Sequence, residues 1–305
     1  MKLLVLHQGA IGDFILAIPA IWTAYLALKP EELHLAGHPS STEVLKGVFW
    51  VKKIWDVNLY PFSTLWFEPV KDLDFQMALV FSKASEWQNA LKSSGVKEIW
   101  MLPPFPEERI PLFHHHLKNL KSYGIYLKTG YMGLFFKEEE KEEALRFLEK
   151  KGIKRPFFVV HPGAGSPKKI WPPERMAHLS NWLYDRFGYF PLVIKGPADQ
   201  KACDEFLKYI NVPYLLIENP PLRKLGALLK FASFFLGNDS GIAHLAAFSA
   251  CQTFVLFGST DPVVFMPYGP YVKCIKGKEG LKDIREEDLK KILENHLPKL
   301  NALDS

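Results

Sequence analysis

Cysteine is scarce in this chain of 305 residues. There are three, Cys203, Cys251 and Cys274, far apart and in no CxxC pair. So dispersed and odd a set excludes a disulfide framework and offers no zinc-ligand spacing. A reducing, cytoplasmic setting is the simplest expectation. Long apolar runs are missing too: nothing approaches the ~18 consecutive apolar residues of a membrane-spanning helix, so none is expected. The opening "MKLLVL" runs straight into Gly, Asp and Pro, without the apolar region and small-residue cleavage site of a secretory signal. Also absent is the G-x-G-x-x-G fingerprint with its ribose-binding acid, which argues against a nicotinamide-dependent dehydrogenase. Neither sign of charge is in large excess, since the net charge is +5. It is unevenly placed: residues 1–150 carry 17 Lys+Arg and 18 Asp+Glu (−1), and residues 151–305 carry 21 and 15 (+6). The second half is the better host for an anionic ligand, or it simply has a lysine-rich surface.

What is present is ordinary globular composition, 48% hydrophobic and 23% charged. The length exceeds what one hydrophobic core usually serves, so two domains are expected. Strand-like and helix-like segments alternate. "KLLVLH" (2–7), "ELHLAGH" (32–38), "VKKIWDV" (51–57), "FQMALVFS" (75–82) and "VKEIWML" (96–102) read as strands, with helices between them. A charged helix follows in 137–156, closed by Gly152 and Pro156. The alternation then restarts with "FFVVHPG" (157–163) and runs to a final charged helix, "REEDLKKILENHL". Continuous apolar strands alternating with helices mean parallel sheets built from βαβ units. The pattern predicts two Rossmann-like domains hinged near 150–156 with a cleft between them. Chemistry is then expected in the loops that follow strands.

Three such loops stand out. In "HQGAIGDFILAIPA" (7–20), Gly9, Gly12 and Asp13 follow the first strand and precede a helix expected over 14–28. Glycines let the backbone turn sharply there. An acid at this point would repel phosphate, so Asp13 either accepts a proton at the cleft edge or caps the helix. In "HPGAGSPKKIWPPE" (161–174), Gly163, Gly165 and Ser166 offer amides and a hydroxyl, and Lys168 and Lys169 add charge suited to a diphosphate. In "GNDSGIAHLAAFSACQTFVLFGSTDP" (237–262), Asn238, Asp239 and Ser240 precede a small-residue helix starting near Gly241, whose N-terminus can cradle an anion. His244 lies on its first turn. Asp239 either binds sugar hydroxyls or acts as a cap, and His244 either meets a ligand or makes a buried polar contact.

Three other signals carry less. Adjacent histidines in "HHH" (114–116) point in different directions on a helix and make a poor metal site. "DLD" (72–74) precedes a strand instead of following one and reads as a polar turn. The acidic run at 138–143 reads as a solvated helix face.

The three loops together resemble those of the family 9 glycosyltransferases, the ADP-heptose–lipopolysaccharide heptosyltransferases. "GAIGDFILAIPA" resembles the family's N-terminal G-D loop. "HPGAGSPKKIWPPERMAHL" resembles its P-G-x…K-x-W-P segment. The 237–262 stretch resembles its D-[ST]-G-x-x-H-L-x-A…FG-x-T-D-P segment, the most specific of the three. The likeness covers most of the chain, and 38–135 matches only in general layout. It implies an α/β GT-B fold: an acceptor domain at 1–152 and a nucleotide-sugar domain at 153–305, with the last helix able to pack back on the first. It implies an inverting transfer from ADP-heptose to an inner-core saccharide, with no cofactor and no metal. Asp13 would be the general base. Lys169, Gly165, Ser166, Asp239, Ser240, Gly241 and His244 would hold the donor. Gly12 and Lys83, the latter just after the fourth strand, would meet the acceptor. The chain departs from the family in two places. Gly165-Ser166 stands where some members use threonines, and His7-Gln8 stands where a basic residue is common. The acceptor would be anionic and lipid-linked, placing the protein in the cytoplasm at the inner face of the inner membrane. The aromatic, lysine-containing stretch 48–71 would either face that surface or lie in the core. An ADP-sugar transferase with another sugar or acceptor, or a non-catalytic nucleotide-sugar-binding module, are the alternatives.

Overall fold

The computed structural model describes residues 1–71, 73–126, 130–154 and 156–297. They form two compact units: Met1–Met132 with Val263–Tyr268, and Gly133–Pro262 with the chain from Gly269 onward.

The first unit contains β1 (Lys2–His7), α1 (Ile11–Leu28), β2 (Glu32–Gly37), α2 (Pro39–Thr42), β3 (Lys53–Asp56), β4 (Met77–Val80), α3 (Ser85–Ser93), β5 (Glu98–Met101) and α4 (Leu112–Lys121). The five strands make one parallel sheet in the order β3-β2-β1-β4-β5. Central β1 and β4 are covered on both faces, so both read as unbroken apolar runs; Leu3 to Leu6 and Ala78 to Val80 have no exposed surface. Helix α1 begins at Ile11, three residues before the expected start, so Gly12 and Asp13 lie inside its first turn. Its N-cap is Ala10, and Asp13 is therefore not the cap. By length and composition α1 could cross a membrane, although Gly12, Asp13 and Thr23 interrupt its apolar sequence. More than half of it is buried within the protein, as in a core helix. "DLD" begins at Asp72, outside the described residues.

The second unit contains α5 (Glu138–Lys150), β6 (Phe157–His161), α6 (Pro173–Phe187), β7 (Phe190–Lys195), α7 (Gln200–Tyr209), β8 (Leu215–Glu218), α8 (Leu222–Leu229), β9 (Phe235–Asn238), α9 (Gly241–Phe248), β10 (Thr253–Phe257), β11 (Val272–Lys276) and α10 (Glu286–His296). Its six strands form a second parallel sheet, β11-β10-β9-β6-β7-β8. The edge strand β11, "VKCIK", has no sequence signal of its own: two lysines break its apolar content, and only pairing with β10 defines it.

The division of the chain differs from the expected 152/153 boundary in two respects. Helix α5 belongs to the second unit. There Arg223 of α8, 8% exposed, donates to Glu140 and to the Phe135 carbonyl, and glycine at 226 leaves room for the Phe136 ring. A late segment, Val263–Tyr268, belongs to the first unit, where the Leu112 amide donates to the Val264 carbonyl at 2.9 Å. The last described helix, α10, belongs to the second unit. Leu289 and Leu293 of α10 are fully buried in the core that holds Trp171 and Met176. The Trp171 indole N–H donates to the Ile284 carbonyl at 3.0 Å, fixing the approach to that helix.

Sheet order decides where ligands can bind. In an open parallel sheet the crevice opens where successive connections run to opposite sides, beyond the carboxyl ends of the strands. In the first sheet that point lies between β1 and β4, where the turn before Asp13 and the residues leading to Lys83 emerge. In the second it lies between β6 and β9, the strands that feed the loops of 161–169 and 238–241.

Candidate functional site

At the β6/β9 switch point the second unit assembles a dense polar cluster. Asn238, fully buried at the end of β9, ties the two loops together: its Oδ1 accepts from the Trp171 amide at 2.9 Å, and its Nδ2 donates to the Pro162 carbonyl at 2.8 Å. Next to it Asp239 is 3% exposed. Its Oδ2 accepts from Lys169 Nζ at 2.8 Å and from Thr260 Oγ1 at 2.6 Å, and His244 Nε2 lies 3.7 Å from Oδ1. Burial pushes this carboxyl upward, but His244, Lys169 and Thr260 outweigh it and bring its pKa down to about 2. Asp239 is therefore an anion at neutral pH and only accepts hydrogen bonds. It binds hydroxyls and cations and repels phosphate.

Ser240 is the N-cap of α9, its hydroxyl oxygen facing the Ala243 amide at 3.4 Å. Asp239 is therefore not the cap. Gly241 opens the helix, so free amide N–H groups and the positive end of the helix dipole face the loop. His244, on the first turn, has a buried Nδ1 with no hydrogen-bond partner. Lys169 ends a single 3-10 turn, Pro167–Lys169, that Ser166 caps. Gly165 is exposed, and a Cβ there would meet nothing within 4 Å, so packing does not require glycine at that position. The structure thus brings Lys169, Asp239, Ser240, Gly241 and His244 together, with Gly165 and Ser166 on the adjoining loop.

Sequence reasoning missed two members of this cluster and under-read a third. His161 ends β6 and is 2% exposed; Asp199, 6% exposed, precedes α7 and binds it. The sign available for Asp199 was "GPAD", a glycine-proline turn ending in an acid straight after β7. Thr260 sits in "GSTDP" at the end of the 237–262 stretch, where the sequence reading did not single out its hydroxyl.

In the first unit, Asp13 stands in the first turn of α1, where the helix dipole favours a carboxylate. The turn before it is tight: a Cβ at Gly9 would lie 2.7 Å from His7 Cε1 and 3.0 Å from Asp13 Cβ. The Gly9 amide donates to His7 Nδ1, and Ser41 Oγ to the Gly9 carbonyl at 3.0 Å. Lys83 lines a cavity of about 380 Å³ with His115, Lys118 and Asn119, and is paired with Glu107 at 3.2 Å. The aromatic stretch 48–71 divides between buried and exposed side chains. Trp50 is buried and Trp55 half-buried under Lys53, whereas Trp66 is exposed, and Phe49, Tyr60 and Phe67 are 72%, 71% and 90% exposed. Among the described residues there is no group of three or more His, Cys, Asp or Glu arranged to hold a metal ion.

Residues 104–293, more than half of the chain, match the family model "Glycosyltransferase family 9 (heptosyltransferase)". The chain belongs to this family. Lipopolysaccharide heptosyltransferase 3 of Escherichia coli K12 is 32% identical over 127 residues, an alignment covering 40% of this family 9 chain and 37% of that relative. Two solved heptosyltransferase structures share the fold of this chain. E. coli ADP-heptose lps heptosyltransferase II superposes with a TM-score of 0.80 at 18% identity, covering 100% of both chains. E. coli heptosyltransferase WaaC, solved with ADP, gives 0.73 at 15% identity, covering 97% of this chain and 99% of that one. The two parallel sheets are thus the α/β, GT-B-class fold that the sequence implied.

Proposed function

We propose that this family 9 protein is an inverting heptosyltransferase that moves heptose from ADP-heptose to a saccharide acceptor of the lipopolysaccharide inner core. The observation that carries this reading is the cluster at the β6/β9 switch point, where Lys169 and the N-terminus of α9 flank an ionised, buried Asp239. These groups match an ADP-sugar in kind: cation and amides for the diphosphate, carboxylate for sugar hydroxyls. Lys169, the amides at Ser240–Gly241 and the hydroxyl of Ser166 stabilise the negative charge that grows on the departing diphosphate. Gly165 lets the phosphate approach the backbone. Asp239 and His244 hold heptose hydroxyls. Because Lys169 already neutralises Asp239, an arriving phosphate competes for the same ammonium and leaves Asp239 free to accept from the sugar.

Asp13 takes the proton of the acceptor hydroxyl as its oxygen attacks the anomeric carbon, and Gly12 allows close approach beside it. Lys83 meets an acceptor carboxylate or phosphate from the wall of its cavity. The scheme uses no metal and no cofactor. The acceptor is lipid-linked, which places the protein in the cytoplasm at the inner face of the inner membrane, with Phe49, Tyr60 and Phe67 available to a membrane surface.

The test is ADP release from ADP-heptose with truncated core acceptors, in wild type and in Asp13→Asn. The variant is expected to lose turnover by ~10²-fold or more while still binding ADP. Turnover that survives removes Asp13 as the base. A protein that binds ADP-heptose yet releases no ADP with any acceptor is a binding module.

A further inference from the structure

Behind the candidate donor site runs a chain of three side chains, Asp199–His161–Ser240, to which the scheme above gives no role beyond the last. One ring nitrogen of His161, Nε2, meets Asp199 Oδ2 at 2.7 Å; the other, Nδ1, meets Ser240 Oγ at 3.1 Å. The carboxylate has a purpose-built seat. A Cβ at Gly163 would lie 2.0 Å from Asp199 Oδ1, and one at Gly196 would lie 2.7 Å from Oδ2. The Gly196 amide also donates to Oδ2 at 2.8 Å. Burial pushes Asp199 upward, but His161 and the Gly196 amide outweigh it and hold the carboxyl below its usual range.

Donor and acceptor roles follow from this. Ionised Asp199 only accepts, so His161 Nε2 carries a proton. In a neutral ring Nδ1 is then a lone pair, and the proton it takes comes from the Ser240 hydroxyl. Ser240 in that state has no proton to offer a ligand at the head of α9. With a second proton on His161 the roles reverse. Nδ1–H donates to Ser240 Oγ, and the serine proton turns outward. Titratable groups facing this chain include Asp239 with Lys169, one residue before Ser240, His244, one turn after it, and the Cys203 thiol, one turn after Asp199, which burial first and Asp199 among others push up to about 11. His244 Nδ1 is itself buried and unpartnered on the same helix turn, an independent sign that a ligand completes this mouth.

We propose that binding of a nucleoside diphosphate at the head of α9 draws one proton from solvent onto His161 Nδ1, with Asp199 as its counter-charge. Ser240 is thereby converted from a donor to His161 into a donor to a phosphate oxygen. The inference rests on the donor reading above. The one bond formed is the N–H bond at His161 Nδ1, its proton leaving a hydronium ion or buffer acid in solvent, and the serine keeps its own proton. His161 and Asp199 are positioning residues that act through Ser240.

Proton uptake is read by titrating the full-length protein with ADP in a calorimeter, in two buffers of different ionisation enthalpy. The work is done near pH 8, above the phosphate's own pKa of about 6. Wild type is expected to take up a substantial fraction of one proton per ADP. His161→Gln is expected to lose that uptake and to bind ADP about tenfold more weakly, the scale of one lost charge-assisted hydrogen bond. Ser240→Ala leaves the buried His161–Asp199 pair intact and is expected to lose the uptake as well, which guards against a misfolded His161 variant. No uptake by wild type overturns the proposal. So does uptake that persists in folded His161→Gln, which places the proton on another group. Failure of folded wild type to bind ADP overturns the donor reading instead.

Discussion

His7 and His116 are neutral side chains locked into the first unit. His7 ends β1 and is 3% exposed; burial first, and then the nearby His38, bring its pKa down to about 3. His116 is 1% exposed, neither ring nitrogen has a hydrogen-bond partner, and burial again is the main cause of a pKa well below the usual value. Both are protonated near pH 6.5 in the unfolded chain but not in the folded one. Their depressed folded pKa values mean that full stability is present above about pH 6.5 and is lost as pH falls from there toward the folded values. Between about pH 7.5 and 5.5 each histidine is expected to remove about 1.4 kcal/mol, one pKa unit's worth. Denaturant unfolding at the two pH values checks this, and His116→Leu is expected to shrink the difference by about 1.4 kcal/mol. An unchanged difference in that variant would assign the acid sensitivity to other groups.

At the scale of elements, the short turn that presents Lys169 is braced from behind by the end of β10. A Cβ at Gly258 would lie 2.5 Å from the Lys168 carbonyl and 2.9 Å from Leu281 Cδ1. The first of these is backbone, which cannot rotate away. Gly258→Ala must therefore displace the Pro167–Lys169 turn or β10 itself. It is expected to cost about 1–3 kcal/mol, the scale of overpacking, and to weaken ADP binding about tenfold by misplacing the ammonium. Gly165→Ala is the comparison, because its Cβ meets open space; its unfolding free energy is expected to stay within about 0.5 kcal/mol of wild type. Thermal unfolding and ADP titration of the two variants test this. Equal losses of stability would show that close packing at 258 is not the cause.

Across the whole molecule, the groups suited to an ADP-sugar all belong to one of the two units. Hydrogen exchange with and without ADP is expected to show its strongest protection in 161–169, 238–244 and 258–260. Protection strongest in β1–β5 would move the donor site to the other sheet. The unit boundary itself was only partly legible. A charged helix ending in Gly152 and Pro156 looks like a hinge, and Gly152 does take a left-handed φ of 70°. Helix α5 nonetheless joins the second unit, because its partners, Arg223 and Lys224 on α8, lie far along the chain.

Local pattern was enough for most elements and for the loops that matter. Buried parallel strands read as unbroken apolar runs, and glycine, proline and capping residues mark their ends, so β1, β2, β4 and β6 could be located from sequence alone. The G-D turn, the lysine loop and the Asp-Ser-Gly helix start were legible because each is a short contiguous stretch. Sheet order was not legible, since strand adjacency is a long-range choice that local periodicity does not carry. Only that order puts the loops after β6 and β9 side by side. It alone joins His161 to Asp199 across 38 residues and to Ser240 across 79. It also pairs the lysine-broken strand β11 with β10. Sequence determined which residues stand at the strand ends; tertiary structure decided which strand ends are neighbours, because a hydrogen bond of 2.7 Å forms only between groups the sheet has already brought together.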